Sequence, residues 1–310
     1  MFPLDERLGF LSTGYSPFLV ETMVRLGARL PFDVVAQEML LLFAVSVSAD
    51  TVRRLTEEAG AHLVTIEQRD LEHLEHDAPD EPEGPTVQQV SADGVMLSLT
   101  DGRWTEARTI AIGTVIQHDG EVRATELTYF SRHGSAQQFI RQVTLPTHER
   151  GTRCAGTVAS VMDGAPWLQE LIDEQCPAAV RILDFPHAAS YLHAAAHAAF
   201  GTDSQEADTW LDHWVPQFKT GEPEVVLTAL RALSTPTAEA AAAKGTAIRY
   251  FGQRREQIHY AAFQEQGLPI GSGIVESAGK LVVEARLKGS GMHLGTHEPQ
   301  SAPGTAGPAL

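Results

Sequence analysis

Three acids stand in settings suited to holding metal ions. They are Asp93 in Val90-Ser91-Ala92-Asp93-Gly94-Val95, Asp163 in Val161-Met162-Asp163-Gly164-Ala165, and Glu276 in Gly271-Ser272-Gly273-Ile274-Val275-Glu276-Ser277. A few carboxylates can share two divalent ions, and two such ions clamp the attacking and the leaving oxygen of an in-line phosphoryl transfer. That chemistry cuts and joins nucleic-acid strands. Each acid also has a plainer reading. Asp-Gly is a common turn dipeptide, and Asp101-Gly102 reads as the turn of a hairpin. Taken alone, Asp93 and Asp163 read as turn residues. Glu276 lies four residues before Lys280 on an expected helix, the spacing of an ordinary surface ion pair.

The elements that must position these acids can be read from periodicity. Residues 86–92 alternate towards a strand that stops at Asp93, and Arg108 to Gln117 and Val122 to Phe130 read as two further β-rich runs. A helix from Ser135 to Val143 follows, then Gly156 to Met162 as a short buried strand ending at Asp163. A helix over Trp167 to Glu174 leads to a fifth strand, Ala179 to Leu183, ending at Asp184. The order β-β-β-α-β-α-β is the ribonuclease-H-like plan, an α/β fold. Glu276 opens a late helix whose start is marked by glycines and by Ser272 as an N-cap.

On these residues the chain resembles bacterial insertion-sequence DDE transposases of the Kra type, in the Mutator-like group. Four stretches carry the likeness: Phe2 to Gly9, Ser91-Ala92-Asp93-Gly94, Met162 to Ala165 with Leu183-Asp184-Phe185-Pro186-His187, and Gly271 to Ser277 running on to Arg286–Met292. The last two are specific motifs; the first two are weak in isolation. The resemblance implies that Asp93, Asp163 and Glu276 are a catalytic triad binding two Mg²⁺ or Mn²⁺ ions, so that cleavage and strand transfer share one site. Asp184 and His187 match the Asp-x-x-His signature that follows the second acid. For His187 a structural role stays open beside direct participation. The implied partners are double-stranded DNA, as element ends and target, and further copies of the chain.

The resemblance also implies a domain plan. Residues 1–66 form a helical, helix-turn-helix-like DNA-binding domain, 67–85 an acidic linker, and 86–292 a ribonuclease-H-like catalytic domain with an all-α insertion over 188–268. Residues 293–310 form a Gly/Pro-punctuated tail without apolar periodicity, expected to be disordered. Family members carry a cysteine-rich segment before the Pro3-Leu4-Asp5-Glu6 stretch and a tryptophan with further helix after Met292. Here two residues precede Pro3, and His293-Leu294 follow Met292. The expectation is therefore a transposase frame truncated at both ends with its acids intact. Two readings stand beside it: one from another class, a non-catalytic DNA-binding or dimerising remnant that interferes with an intact transposase, and one on the same fold, a structure-selective nuclease that cuts without joining strands.

Composition bounds these readings. The chain has 310 residues, 43% of them hydrophobic, and no long apolar run, which fits a soluble cytoplasmic protein without a membrane anchor. Two cysteines, Cys154 and Cys176, are too few for a disulfide framework or a zinc ribbon. A formal charge of −17 opposes DNA binding, which needs a basic footprint. The charge is uneven, however. Glu67 to Gly84 holds eight acids and one arginine, whereas Lys244 to Lys288 holds seven basic residues against four acids.

The candidate DNA contacts are Arg53 and Arg54 on the second helix of the helix-turn-helix pattern, with Arg254, Arg255, Lys280, Arg286 and Lys288 on the approach to and beyond Glu276. A plain helical hairpin competes for the first pair, and a solvated face for Arg254-Arg255. Trp210, Trp214 and Phe218 at helical spacing read as core. His193 and His197 have ligand spacing, but nothing nearby completes a zinc site, so they read as helix-face residues.

Overall fold

The computed structural model describes residues 14–98 and 101–279. The Phe2–Gly9 motif, the Arg286–Met292 motif, Lys280, Arg286, Lys288 and the expected tail over 293–310 lie outside the described residues.

The amino-terminal helices follow their capping residues. Ser16 opens α1 (Pro17–Gly27), with a proline in the first turn where no N–H is needed. The helix α2 (Phe32–Phe43) ends where Ala44 takes a left-handed φ of 54°. Ser48 then opens α3 (Ala49–Asp77), its Oγ accepting the Thr51 N–H at 3.1 Å. Met23, Val35, Met39, Val52 and Leu55 fill the space between the three helices.

The expectation of an exposed linker over 67–85 needs correction, because α3 runs unbroken to Asp77. Its acids meet cations distant in sequence. Glu67 forms an ion pair with Arg132, whose side chain is only 4% exposed, and Glu75 accepts two hydrogen bonds of 2.7 Å from Arg141. Leu71 is buried on the same helix. The connecting stretch reduces to residues 78–86.

Five strands form one mixed sheet in the order β3-β2-β1-β4-β5. The strands β1 (Val87–Ser98), β2 (Trp104–His118) and β3 (Glu121–His133) are an antiparallel meander. The strands β4 (Thr157–Met162) and β5 (Val180–Leu183) add in parallel beside β1. Parallel strands need crossovers. The first is made by α4 (Ala136–Gln142), α5 (Thr144–Glu149) and a 3₁₀ turn at Thr152–Cys154, the second by α6 (Pro166–Gln175).

One difference bears on the site. The first strand was expected to stop at Asp93, yet β1 continues to Ser98 because its pairing with β2 persists to Ser98 opposite Trp104. The turn at Gly102, with φ 81°, closes the hairpin beyond that pair. Asp93 therefore sits within a strand, with Thr109 as its partner on β2.

Side chains alternate between the two faces of a strand. One face of the sheet is apolar: Val90, Ala92, Ile110, Ile112, Phe130, Val158 and Met162 pack against Phe139 and Ile140 of α4 and Leu168, Leu171 and Ile172 of α6. The other face changes character along the sheet. Over β4 and β5 it is apolar and meets a helical layer made of α7 (Phe185–Phe200), α8 (Gln205–Thr220), α9 (Pro223–Ala232), α10 (Ala238–Gly252) and α11 (Tyr260–Glu265). Phe218, with Trp210 and Trp214 beside it, packs into that layer, so the aromatic stripe is core. Over the meander the same face is polar, with Gln89, Ser91, Thr109 and Ser131 buried and a 2.8 Å hydrogen bond joining the Thr109 and Ser131 hydroxyls. The short helix α12 (Gly273–Ala278) lies across this polar region.

Candidate active site

The polar face ends in a row of acids. Val87 to Val90 pair in parallel with Thr157 to Ser160. Carried forward in that register, Asp93 comes level with Asp163, on strands about 4.8 Å apart. The Asp184 N–H donates to the Met162 carbonyl at 2.8 Å, which keeps β5 in register to its end and brings Asp184 beside Asp163. Asp93 thus lies within β1, while Asp163 and Asp184 directly follow the last residues of the neighbouring β4 and β5.

Asp93 experiences Asp163 and acids from other elements electrostatically. Burial holds its carboxyl above the ordinary value of 3.8, and the charges of Asp163, Glu276 and Glu106 push in the same direction. A 2.7 Å hydrogen bond from the Gly94 N–H to Oδ1 works against them. Glu106 is held by an ion pair to Arg108.

Asp163 sits in a turn gripped from outside the sheet. Its Oδ1 accepts the Ala165 N–H at 2.9 Å. Its backbone carbonyl accepts a hydrogen bond from the Tyr250 hydroxyl, and the Gly164 carbonyl accepts one of 2.6 Å from Nη2 of Arg254. Gly164 has φ +80°, and a Cβ there would stand 2.4 Å from Nε of Arg254. A glycine is required by both backbone and neighbour.

Asp184 and His187, expected beside the acids, are both held by contacts within the fold. Asp184 is buried, with Oδ2 accepting the His187 N–H at 2.8 Å to cap α7 and Oδ1 accepting the Ser272 N–H at 2.6 Å. Both oxygens are engaged by backbone, which makes it a positioning group for the loop before Glu276. Two further bonds tie down that loop: Phe185 N–H to the Ile270 carbonyl at 2.9 Å, and Gln89 Nε2 to the Gly271 carbonyl at 2.9 Å. Gln89 also donates to Ser91 Oγ at 3.1 Å. Ser272 precedes α12 without a side-chain cap, its backbone serving Asp184 instead. The His187 ring packs edge-on against Tyr191 and Tyr250, at 5.5 and 6.0 Å between centroids.

Glu276 itself is exposed, while Val275 and Ala278 of the same short helix are buried against the sheet. Among the described residues no three His, Cys, Asp or Glu side chains stand together closely enough to hold a metal ion. The donor set nevertheless suits Mg²⁺ or Mn²⁺, which take hard carboxylate oxygens. Partly buried Asp93 faces the charges of three carboxylates, and a divalent cation would relieve that repulsion.

The expected DNA contacts divide. Arg53 pairs with Asp50 and Glu57, and Arg54 with Glu58, all on the exposed face of α3. Arg255 pairs with Glu224, which also binds Arg231. Arg254 turns inwards, with Nη2 donating to the Gly164 carbonyl at 2.6 Å. The sequence offers no signal for Tyr250, Tyr191 or Gln89, whose contributions depend on contacts between distant elements. His193 is exposed on α7, one turn from His197.

No helix among the described residues is long and apolar enough to cross a membrane. Neither a protein-family model nor a curated protein matches this chain.

Proposed function

We propose that the chain is a DDE transposase with a ribonuclease-H-like catalytic domain, in which Asp93, Asp163 and Glu276 hold two Mg²⁺ or Mn²⁺ ions and double-stranded DNA is the substrate. The observation that carries this reading is that Asp93 on β1 and Asp163 just past the end of the adjacent parallel β4 come close enough, with Glu276 on the helix laid over the polar face, for both charges to act on Asp93. The mixed sheet, antiparallel for three strands and parallel for two, supports this reading. When bound, two such ions supply activation of water or a DNA 3′-hydroxyl and stabilisation of the leaving oxygen.

The residues present do the rest of the work. Gln89 and Asp184 fix the loop that leads into α12, and the turn at Gly164 fixes the backbone of Asp163. Exposed Glu276 leaves one side of the acid row open to solvent, where a DNA backbone could approach. Double-stranded DNA and further copies of the chain are the proposed partners. The exposed arginines are largely matched by acids of the same chain, so binding would require those pairs to open.

One observation favours a second reading, a DNA-binding or dimerising remnant without catalysis: the acids do not converge on a common point. Incubating supercoiled plasmid DNA with the protein and Mn²⁺ separates the two. Strand breakage by the unaltered chain that disappears in Asp93→Asn supports the enzyme. DNA retention without breakage, or breakage that survives Asp93→Asn, rejects it.

A further inference from the structure

The second acid is gripped from outside the sheet by one helix, α10. Tyr250 on that helix donates its hydroxyl to the Asp163 carbonyl, and Arg254, just beyond the helix end, donates to the Gly164 carbonyl at 2.6 Å. Sequence separations of 87 and 90 residues mean that neither contact is local. Both act on the two consecutive carbonyls that follow the Asp163 Cα, and so fix the turn backbone around Gly164 that carries the Asp163 side chain.

The two donors are themselves held rigidly. The Tyr250 ring stacks on Tyr191 with centroids 4.0 Å apart and planes 15° from parallel. The Arg254 guanidinium lies 4.2 Å from the Tyr250 centroid, so with one face covered by Tyr191 it takes the other. Its Nη1 also donates to the Tyr250 carbonyl at 3.2 Å. His187, the last residue of the Asp-x-x-His stretch, closes the edge of this stack. A ring enclosed in this way keeps one rotamer, and its hydroxyl points at one acceptor.

We infer that Tyr250 and Arg254 are positioning residues for Asp163: from the helical layer they set the turn that aims the second acid, which makes that layer part of the site's geometry. The inference rests on the reading of Asp163 as a metal-binding acid, but the clamp itself can be measured without metal. Gly164 fits the same account, since any side chain there would displace Arg254.

The test uses Tyr250→Phe, which keeps the ring stack and removes only the donor, and Arg254→Met, which removes the fork. Arg254→Lys serves as the conservative control. Amide hydrogen exchange at Ala165, whose N–H bonds to the Asp163 carboxylate, reports the turn directly. Loss of one hydrogen bond should raise exchange there by up to about tenfold in Tyr250→Phe. It should rise further in Arg254→Met and recover partly in Arg254→Lys, with exchange in the α1–α3 helices unchanged. Calorimetric Mn²⁺ titration of the same proteins should show affinity falling about 10-fold, as for groups that orient a metal ligand. Unchanged exchange at Ala165 in both Tyr250→Phe and Arg254→Met would overturn the inference. Faster exchange in a chain whose unaltered form binds no Mn²⁺ would support the clamp and reject the metal reading.

Discussion

The Asp184 carboxylate accepts the backbone N–H of Ser272 at 2.6 Å, joining the end of β5 to the loop before the Glu276 helix across 88 residues of sequence. Its second oxygen caps α7 through the His187 N–H. A buried carboxylate that satisfies two backbone donors in different elements ties the end of β5 to the loop before Glu276.

Removing that carboxylate should therefore cost stability as well as site geometry. Asp184→Ala leaves a buried N–H at Ser272 and a partly buried one at His187 without acceptors, an expected loss of about 2–4 kcal/mol in urea denaturation. Asp184→Asn keeps an acceptor oxygen and should lose less. Equal stability of all three proteins would contradict the strap.

A second expectation concerns pH. A folded-state pKa raised above 3.8 means that the folded chain holds the Asp93 proton more tightly than the unfolded chain does. That contribution is fully present below 3.8 and is lost as pH rises through the raised value. Asp93→Asn removes the charge. Its stability relative to the unaltered protein should rise with pH across that window and then level off, followed by urea denaturation at successive pH values. A difference that stays flat would show that Asp93 is not strained by its neighbours.

At Gly164 the expectation is steric. Gly164→Ala must adopt φ near +80° and push Arg254 away, at an expected cost of about 1–3 kcal/mol. Thermal melting gives the cost, and Ala165 amide exchange localises it.

Much of the sheet was legible because strands announce themselves by alternation and turns by Asp-Gly and proline. Asp163 and Asp184 read at strand ends from local signals that nothing overrides. Asp93 was misplaced because a strand's length depends on its partner, and β2 extends the pairing to Ser98. The acidic stretch was misread for a related reason. Like charges and prolines suggest solvent, yet Arg132 and Arg141 arrive from β3 and α4 to neutralise Glu67 and Glu75. The grip of Tyr250 and Arg254 on the Asp163 turn belongs to the same class of information, since it exists only once distant elements meet.

The buried pair offers its own prediction. Burial draws the Arg132 guanidinium down to about 10, so the pair with Glu67 does not fully offset its loss of water. Glu67→Ala leaves that charge alone and should cost about 3–5 kcal/mol, whereas Glu67→Leu combined with Arg132→Met should be close to neutral. Urea denaturation of the three proteins decides whether residues 67–77 are packed structure. A Glu67→Ala protein as stable as the parent would return that stretch to the status of a linker.

On the proposed reading, Asp93, Asp163 and Glu276 act as one metal site. Calorimetric titration of Mn²⁺ into the unaltered chain and into Asp93→Asn, Asp163→Asn and Glu276→Gln tests it most directly. The account predicts saturable binding that each substitution weakens. Absence of binding in an unaltered protein that melts cooperatively, or binding indifferent to all three substitutions, would contradict it.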